Sequence, residues 1–301
     1  MVGLMIFAYF AYQNVFAPNT KFEEKEVFVY IPTDSDYASV EKIVSPYIEN
    51  LESFKTVAEK KSYVTNVKAG KFLLKKGMNN NNLINSLRQP LETKLAFNNQ
   101  ERLEDFAGRI GSQIEADSTS LMQAFTDKEF LDENGFTEEN VLSMFIPNSY
   151  DFFWNTSAVK FRDRMAKEYR KFWNDDRKAK AEKLNLTPLQ VSALASIVHK
   201  ETVKTDERPR VAGVYLNRLK TGMKLEADPT VIYAVKKSEN DFNRVIKRVL
   251  YKDLETVSPY NTYRNFGLPP GPIAMPDVTA IDAVLNPEPV SYTHLRAHET
   301  L

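Results

Sequence analysis

Alternation of apolar and polar positions predicts a small α+β module in the N-terminal part of the chain. Residues 26–31, EVFVYI, alternate and are rich in β-formers, which predicts a strand. Helical apolar spacing and a further β-rich run follow it. The next predicted element is a helix over 36–60 in two pieces, broken at Pro46. A turn into a second strand follows over 68–74, and then a short helix over 83–87. We therefore predict an α+β module over residues 22–97.

Helical spacing dominates the remaining sequence. Apolar residues recur at helical intervals over 101–145, and an aromatic-lined loop follows at 145–150. Residues 157–181 predict one long amphipathic helix whose outer face is basic. That face is either a solvated surface or a contact for an anionic polymer. We expect a mainly helical α+β domain over residues 98–289.

The best-defined helix begins at Thr187. Thr187 is a favourable N-cap, Pro188 suits the first helical position, and Gln190 completes a Thr-x-x-Gln capping box. Glu201 falls at helical spacing from the apolar residues of one face, which are Leu194, Ile197 and Val198. Glu201 is therefore expected on the apolar face, near the C-terminal end of this helix.

The predicted position of Glu201 suits acid–base chemistry. Partial burial and the helix dipole both disfavour a negative charge there, and both raise a carboxyl pKa. A carboxyl group that holds its proton near neutral pH can act as a general acid. The alternative is a structural glutamate in an ion pair with Arg208 or Arg218.

Composition narrows the chemistry further. The chain has 40 Lys and Arg, 40 Asp and Glu, and no cysteine. Zero net charge argues against a dedicated nucleic-acid binder, and the missing thiols exclude disulfides and cysteine catalysis. Two of the three histidines, His294 and His298, lie in the last residues, and His199 does not share a helix face with Glu201. We predict a surface histidine at 199, no metal site and no cofactor.

Polar and aromatic residues in the C-terminal part are candidates for substrate contacts. A Pro- and Gly-rich rigid loop at 267–272 follows the segment SPYNTY at 258–263, whose tyrosines and asparagine could stack on and hydrogen-bond a sugar. The alternative is a structural turn with packed tyrosines. Asp228 is expected to cap a helix that begins with Pro229. The candidate contact residues are Asn217, Tyr233, Tyr260, Asn261 and Tyr263.

The first residues suggest a membrane segment. Residues 1–17 are largely apolar or aromatic and carry no charge, but the run is shorter than a full span of roughly 20 apolar residues. We interpret residues 1–17 as the distal part of a transmembrane anchor whose cytoplasmic start is missing. A buried core helix and a signal peptide are the alternatives.

Several motifs together resemble the YceG-like endolytic murein transglycosylases. They are SIVHKET at 196–202, ERPRVAGVYLNRLKTGMKLEADPTVIYAV at 207–235, and SPYNTYRNFGLPPGPIAMP at 258–276. KAGKFLLKKGM at 68–78 looks like that family's LysM-like module, and FIPNSYDFFWNTS at 145–157 resembles its aromatic loop. The combination is specific, although no single motif is.

The resemblance implies a single-pass inner-membrane protein with its catalytic domain in the periplasm. Family members cleave nascent peptidoglycan strands between N-acetylmuramic acid and N-acetylglucosamine and leave 1,6-anhydro ends. The glutamate of the family's Glu-Thr pair is Glu201 here, and it would act alone as acid and base. Peptidoglycan strands and cell-wall synthases are the implied partners, with no nucleic acid and no cofactor.

Two other functions remain open. One is a non-catalytic, membrane-tethered peptidoglycan-binding scaffold for cell-wall synthases. The other is a hydrolase with a second carboxylate, for which Asp228 and Glu226 are the nearest candidates. Residues 290–301, VSYTHLRAHETL, differ from the family and resemble a foreign tail, so we give His294 and His298 no function.

Overall fold

The computed structural model describes residues 12–290, which form two compact units. Unit 1 contains the described residues up to Leu95, together with Gly111–Ala116 and Tyr150–Ser157. Unit 2 contains Ala96–Ile110, Asp117–Ser149 and the chain from Ala158 onward. The whole is α+β and mainly helical with small sheets, as predicted. The assignment of residues 22–97 to a LysM-like module and 98–289 to a catalytic domain stays a prediction.

Unit 1 is built on an antiparallel strand pair. Strand β1 (Glu26–Ile31) pairs with β2 (Gly70–Lys75) in a register that opposes Glu26 to Lys75 and Ile31 to Gly70. Alternate residues of β1 point into the core, so Val29 and Ile31 are buried. The helices of this unit are α1 (Tyr37–Val44), α2 (Leu51–Lys60) and α3 (Asn80–Ser86), with a 3-10 turn at Ser45–Tyr47.

Helix α3 begins earlier than its apolar residues indicate. The sequence predicts a loop through Asn82, but the side chain of Asn79 accepts a hydrogen bond from the backbone N–H of Asn82 and caps a helix that starts at Asn80. A second two-stranded sheet was not predicted; it pairs β3 (Glu92–Phe97) with β4 (Asn148–Phe153). The prediction of an aromatic loop over 145–150 was therefore wrong for its second half, since β4 begins at Asn148.

Unit 2 is a helical assembly. Its helices, given in chain order, are α4 (Leu103–Gly111), α5 (Ser118–Phe125), α6 (Lys128–Asn134), α7 (Ala158–Phe172), α8 (Asp175–Lys183), α9 (Pro188–Glu201), α10 (Arg208–Lys220), α11 (Asp228–Glu239), α12 (Tyr251–Leu254) and α13 (Val278–Leu285). A 3-10 turn at Val141–Met144 precedes β4.

The single helix predicted over 157–181 is wrong. It is divided into α7 and α8, because the side chain of Asn174 accepts a hydrogen bond from the backbone N–H of Arg177 and starts a new helix. Helix α9 lies at the centre of the unit: every residue from Val191 to Val198 is buried, and it packs on α10, α11 and α13. The packing of the buried residues of α9 therefore fixes the position of its last turn.

Within residues 12–290, we find no helix with the length and apolar character needed to cross a membrane. The predicted anchor over residues 1–17 and the predicted foreign tail over residues 290–301 both lie mostly outside the described residues.

Candidate active site

Helix α9 delivers Glu201 from the core of unit 2. The predicted capping box is present: Thr187 Oγ1 accepts from the backbone N–H of Gln190 at 3.2 Å, and Gln190 Oε1 accepts from the backbone N–H of Thr187 at 2.8 Å. The helix then runs through the core and ends at Glu201, its last residue. Thr202 is already extended, with φ −142° and ψ 137°.

Glu201 is exposed as a residue, as a group that meets a substrate must be. Its carboxyl group is nevertheless closely surrounded by protein. This desolvation raises the pKa of Glu201 above its ordinary value. A hydrogen bond from the Tyr215 hydroxyl opposes the rise, the negative charge of Asp228 adds to it, and the positive charge of Arg218 opposes it.

Tyr215 is the functional candidate that sequence reasoning missed. Its position in the apolar stripe of α10 indicates only a core residue, and its side chain is indeed 1% exposed. Its hydroxyl nevertheless acts on Glu201, and burial together with the Glu201 charge raises the pKa of Tyr215 well above its usual range. The phenol therefore stays a hydrogen-bond donor. The available signal was a tyrosine where phenylalanine would pack, since a buried hydroxyl needs a partner.

The two arginines considered as ion-pair partners of Glu201 bind other groups. Arg208 binds Asp277, with its Nη1 at 2.7 Å from Oδ1. Arg218 donates to the carbonyl of Leu225 and lies 3.9 Å from Glu226 Oε2, while its charge also reaches Glu201. Arg218 therefore contributes a nearby positive charge, whereas the pair with Arg208 was wrong.

Asp228 does not cap α11, so that prediction was wrong. Ala227 is the N-cap residue, without a side-chain bond, and Asp228 is the first helical residue. The Asp228 carboxylate instead accepts a hydrogen bond from the Tyr263 hydroxyl at 2.7 Å. Burial and this contact raise the pKa of Tyr263, so its phenol also remains protonated. The charge of Asp228 raises the pKa of Glu201, and the charge of Glu201 in turn contributes to the raised pKa of Tyr263.

Two predicted contacts lie in a separate recess. Tyr233 and Tyr260 have ring centroids 4.8 Å apart and line a recess of about 370 Å³. Glu201 is not among the residues that line it. Burial raises the pKa of Tyr233 to about 12. Tyr260 is almost fully buried, and its hydroxyl lies 3.5 Å from the carbonyl oxygen of Glu139.

Asn261 and Asn217 do not face Glu201. Asn261 is fully buried, and its amide donates to the carbonyls of Leu254 and Thr256 at 2.9 Å each, so it orders the loop. Asn217 lies two residues from Tyr215 and hence on another side of α10. It donates to the carbonyl of Val290 at 2.7 Å and lines a recess of about 990 Å³, of which Glu201 is not a lining residue.

His199 is not the surface residue that was predicted. Its ring is half-buried, with Nδ1 at 3.2 Å from Asp277 Oδ2 and 3.5 Å from the Asp277 backbone nitrogen. Burial would raise the pKa of Asp277, but hydrogen bonds from His199 and Arg208 outweigh it and hold that pKa far below its usual range. No cluster of three or more potential metal ligands occurs among residues 12–290.

The site is thus a carboxyl group with a raised pKa, close to two phenols and an arginine, in a mainly helical domain. Such an arrangement is typical of enzymes that use a carboxyl group for proton transfer. Comparison with known proteins identifies the family. A profile of the YceG-like family matches residues 29–299, so the chain belongs to that family. This range includes most of the predicted foreign tail, whose origin stays a prediction.

Curated relatives support the same assignment. An endolytic murein transglycosylase of Bacillus subtilis is 28% identical over 95% of this chain and 82% of its own length. One of Streptococcus pneumoniae is 26% identical over 92% of this chain but only 56% of its own length. A crystal structure of a YceG-like protein from Listeria monocytogenes matches with a TM-score of 0.60 and 26% identity, over 92% of this chain and 95% of that chain. These relatives confirm the predicted family and its enzyme class.

Proposed function

We propose that this chain is a peptidoglycan lytic transglycosylase. It cleaves glycan strands internally, between N-acetylmuramic acid and N-acetylglucosamine, and leaves 1,6-anhydro ends that terminate strand elongation. The relatives' names support the reaction class. The observation that carries the proposal within this chain is the accessible, desolvated carboxyl group of Glu201 at the end of a buried helix.

Glu201 would act first as an acid and then as a base. The protonated carboxyl donates its proton to the glycosidic oxygen while the bond from that oxygen to the muramic C1 breaks. The C6 hydroxyl of the same muramic residue attacks C1, and its proton passes to the Glu201 carboxylate. The bond formed and the bond broken balance, and the carboxyl group ends as it began. Because the nucleophile belongs to the substrate, this reaction needs one carboxylate where a glycoside hydrolase uses two.

The neighbours of Glu201 suit both halves of this cycle. Desolvation favours the protonated form that donates, which is the form needed first. Once the proton has left, the Tyr215 hydroxyl and the charge of Arg218 stabilise the carboxylate. Asp228 is hydrogen-bonded to Tyr263 at 2.7 Å and, by its charge, favours protonation of Glu201.

Product analysis tests the proposal. Purified peptidoglycan is digested with the protein and, in parallel, with Glu201→Gln, and the products are scored by mass spectrometry. Anhydro ends from the parent and none from Glu201→Gln are expected. A folded protein that binds glycan but forms no anhydro ends would indicate the scaffold function. Reducing ends that disappear in Asp228→Asn or Glu226→Gln would instead indicate a two-carboxylate hydrolase.

We further propose the cellular setting that the family resemblance implies. Residues 1–17 would anchor the chain in the inner membrane with both units in the periplasm, unit 1 would include a LysM-like glycan-binding module, and cell-wall synthases would be partners. Fusion of a topology reporter after Val290 tests the orientation. Reporter activity confined to the cytoplasm would contradict it.

A further inference from the structure

The two residues directly before Glu201 are each held by an acid from a different segment. Lys200 Nζ lies 2.8 Å from Glu101 Oε1, and His199 Nδ1 lies 3.2 Å from Asp277 Oδ2. His199, Lys200 and Glu201 form the last turn of α9, and their side chains point in different directions around the helix. Two tethers therefore act on this turn from separate directions, while Glu201 faces the site.

Glu101 binds a second lysine as well. Its other carboxylate oxygen lies 2.9 Å from Nζ of Lys236, a largely buried side chain on α11. Burial would raise the pKa of Glu101, but hydrogen bonds and charge from the two lysines outweigh it and lower the pKa. Glu101 is thus an ionised bridge between the last turn of α9 and the last turn of α11.

The segments that supply the two acids are bonded to each other. The backbone N–H of Met275 donates to the carbonyl of Gln100 at 2.8 Å, and the side-chain amide of Asn99 donates to the carbonyl of Met275. Glu101 and Asp277 follow within two residues on either segment.

Beyond Glu201 the chain is held by a different contact, in which the Thr202 hydroxyl donates to Glu207 Oε2 at 2.9 Å. Helix α9 stops there, and Thr202 continues in an extended conformation. The buried part of α9 ends at Val198, three residues earlier. The tethered residues at 199 and 200 therefore hold Glu201 from the helix side, in addition to the contacts of Thr202 and the hydrogen bond from Tyr215.

We propose that Glu101 is a positioning residue for Glu201, acting through Lys200. This inference rests on the proposed function, in which Glu201 transfers the proton. A displacement of about 1 Å at a reacting group can lower a rate by about 10²-fold. Releasing the tether is therefore expected to lower the rate of the chemical step.

Steady-state kinetics on uncross-linked glycan strands of defined length test the proposal in the full chain. Glu101→Gln and Lys200→Met are each expected to lower kcat by about 10- to 100-fold with little change in KM. Lys200→Arg keeps a cation within reach of Glu101 and is expected to restore most of kcat. The double variant is expected to lose no more than Glu101→Gln alone, because Lys200→Met breaks only the Glu101–Lys200 contact, which Glu101→Gln already removes.

Asp282→Asn is the matched control. It removes one ion pair of the same unit, between Asp282 Oδ1 and Arg177 Nη2 at 3.2 Å, without a contact to the last turn of α9. It is expected to leave kcat near the parent value and to lower the melting temperature less than Glu101→Gln, which breaks two ion pairs. A purely structural role of Glu101 would make the two variants alike in kcat.

The outcomes separate this inference from the proposed function. Unchanged kcat in Glu101→Gln, or an equal loss in Asp282→Asn, overturns the positioning role. Activity retained by Glu201→Gln removes the acid–base role itself, and the inference falls with it. If Glu101→Gln does not fold, the kcat values of Lys200→Met and Lys200→Arg are compared instead. A loss of kcat in Lys200→Met alone supports the tether, and an equal loss in both variants contradicts it.

Discussion

Asp277 joins three helices, and its replacement should destabilise unit 2 measurably. Its carboxylate caps α13 through the backbone N–H of Ala280 at 2.8 Å, pairs with His199 of α9, and holds Arg208 of α10 at 2.7 and 2.8 Å. Arg208 is 4% exposed. Asp277→Ala would leave that guanidinium buried without its carboxylate and remove the cap at the same time.

The expected loss can be worked out from these contacts. Removing one partner of a buried ion pair costs about 3–5 kcal/mol, and losing an N-cap costs about 1 kcal/mol. The side chain of Asp277 is 36% exposed, so solvent screens part of its charge. We therefore expect a loss of about 2–4 kcal/mol in the free energy of unfolding of unit 2. Asp277→Asn keeps an oxygen for the cap and should lose about 1 kcal/mol less.

Urea unfolding followed by tryptophan fluorescence measures the effect. The chain has two tryptophans, and Trp173 is buried in unit 2, so a Trp154→Phe background reports on that unit. The low pKa of Asp277 adds a second readout, because its contribution is present above the ordinary carboxyl pKa and is lost as pH falls through the folded value. The difference between parent and Asp277→Asn should shrink as the solution is acidified. A loss below about 0.5 kcal/mol in Asp277→Ala would refute this reasoning.

Three further predictions follow from single contacts. Tyr215→Phe removes a hydrogen bond that lowers the pKa of Glu201, so the pKa of Glu201 should rise. The loss of activity on the alkaline side of the pH–rate profile should therefore move to higher pH. An unchanged alkaline side of the profile would contradict the contact. Thr187→Ala breaks the capping box and should cost about 1 kcal/mol in thermal or urea unfolding, without changing KM. Gly271→Ala would place a Cβ atom 1.8 Å from the carbonyl oxygen of Glu139, so we expect poor folding, and a parent-like melting temperature would contradict it.

The predictions from sequence succeeded where one helix governs the outcome. The capping box starts α9, and helical spacing correctly carries Glu201 to its end, because both depend on residues close in sequence. Sequence reasoning does not reach the arrangement of side chains where two segments meet. Asn217 and Tyr215 lie on one helix, yet only the packing of α10 on α9 decides which of them reaches Glu201. Asn261 shows the same limit, since its amide is used by backbone carbonyls of its own loop.

Unit 1 is assembled from three stretches of chain, and this has a consequence for how the protein can be divided. Glu115 accepts hydrogen bonds from the backbone N–H and hydroxyl of Thr33 at 2.7 and 2.6 Å, and its own backbone N–H donates to the carbonyl of Trp154 at 2.8 Å. The Trp154 ring lies 5.1 Å from that of Tyr30. A cut at residue 97 would part Thr33 and Tyr30 from these later partners. Unit 1 is therefore not an independent N-terminal module of consecutive residues. Grafting or deleting it would have to include Gly111–Ala116 and Tyr150–Ser157 as well.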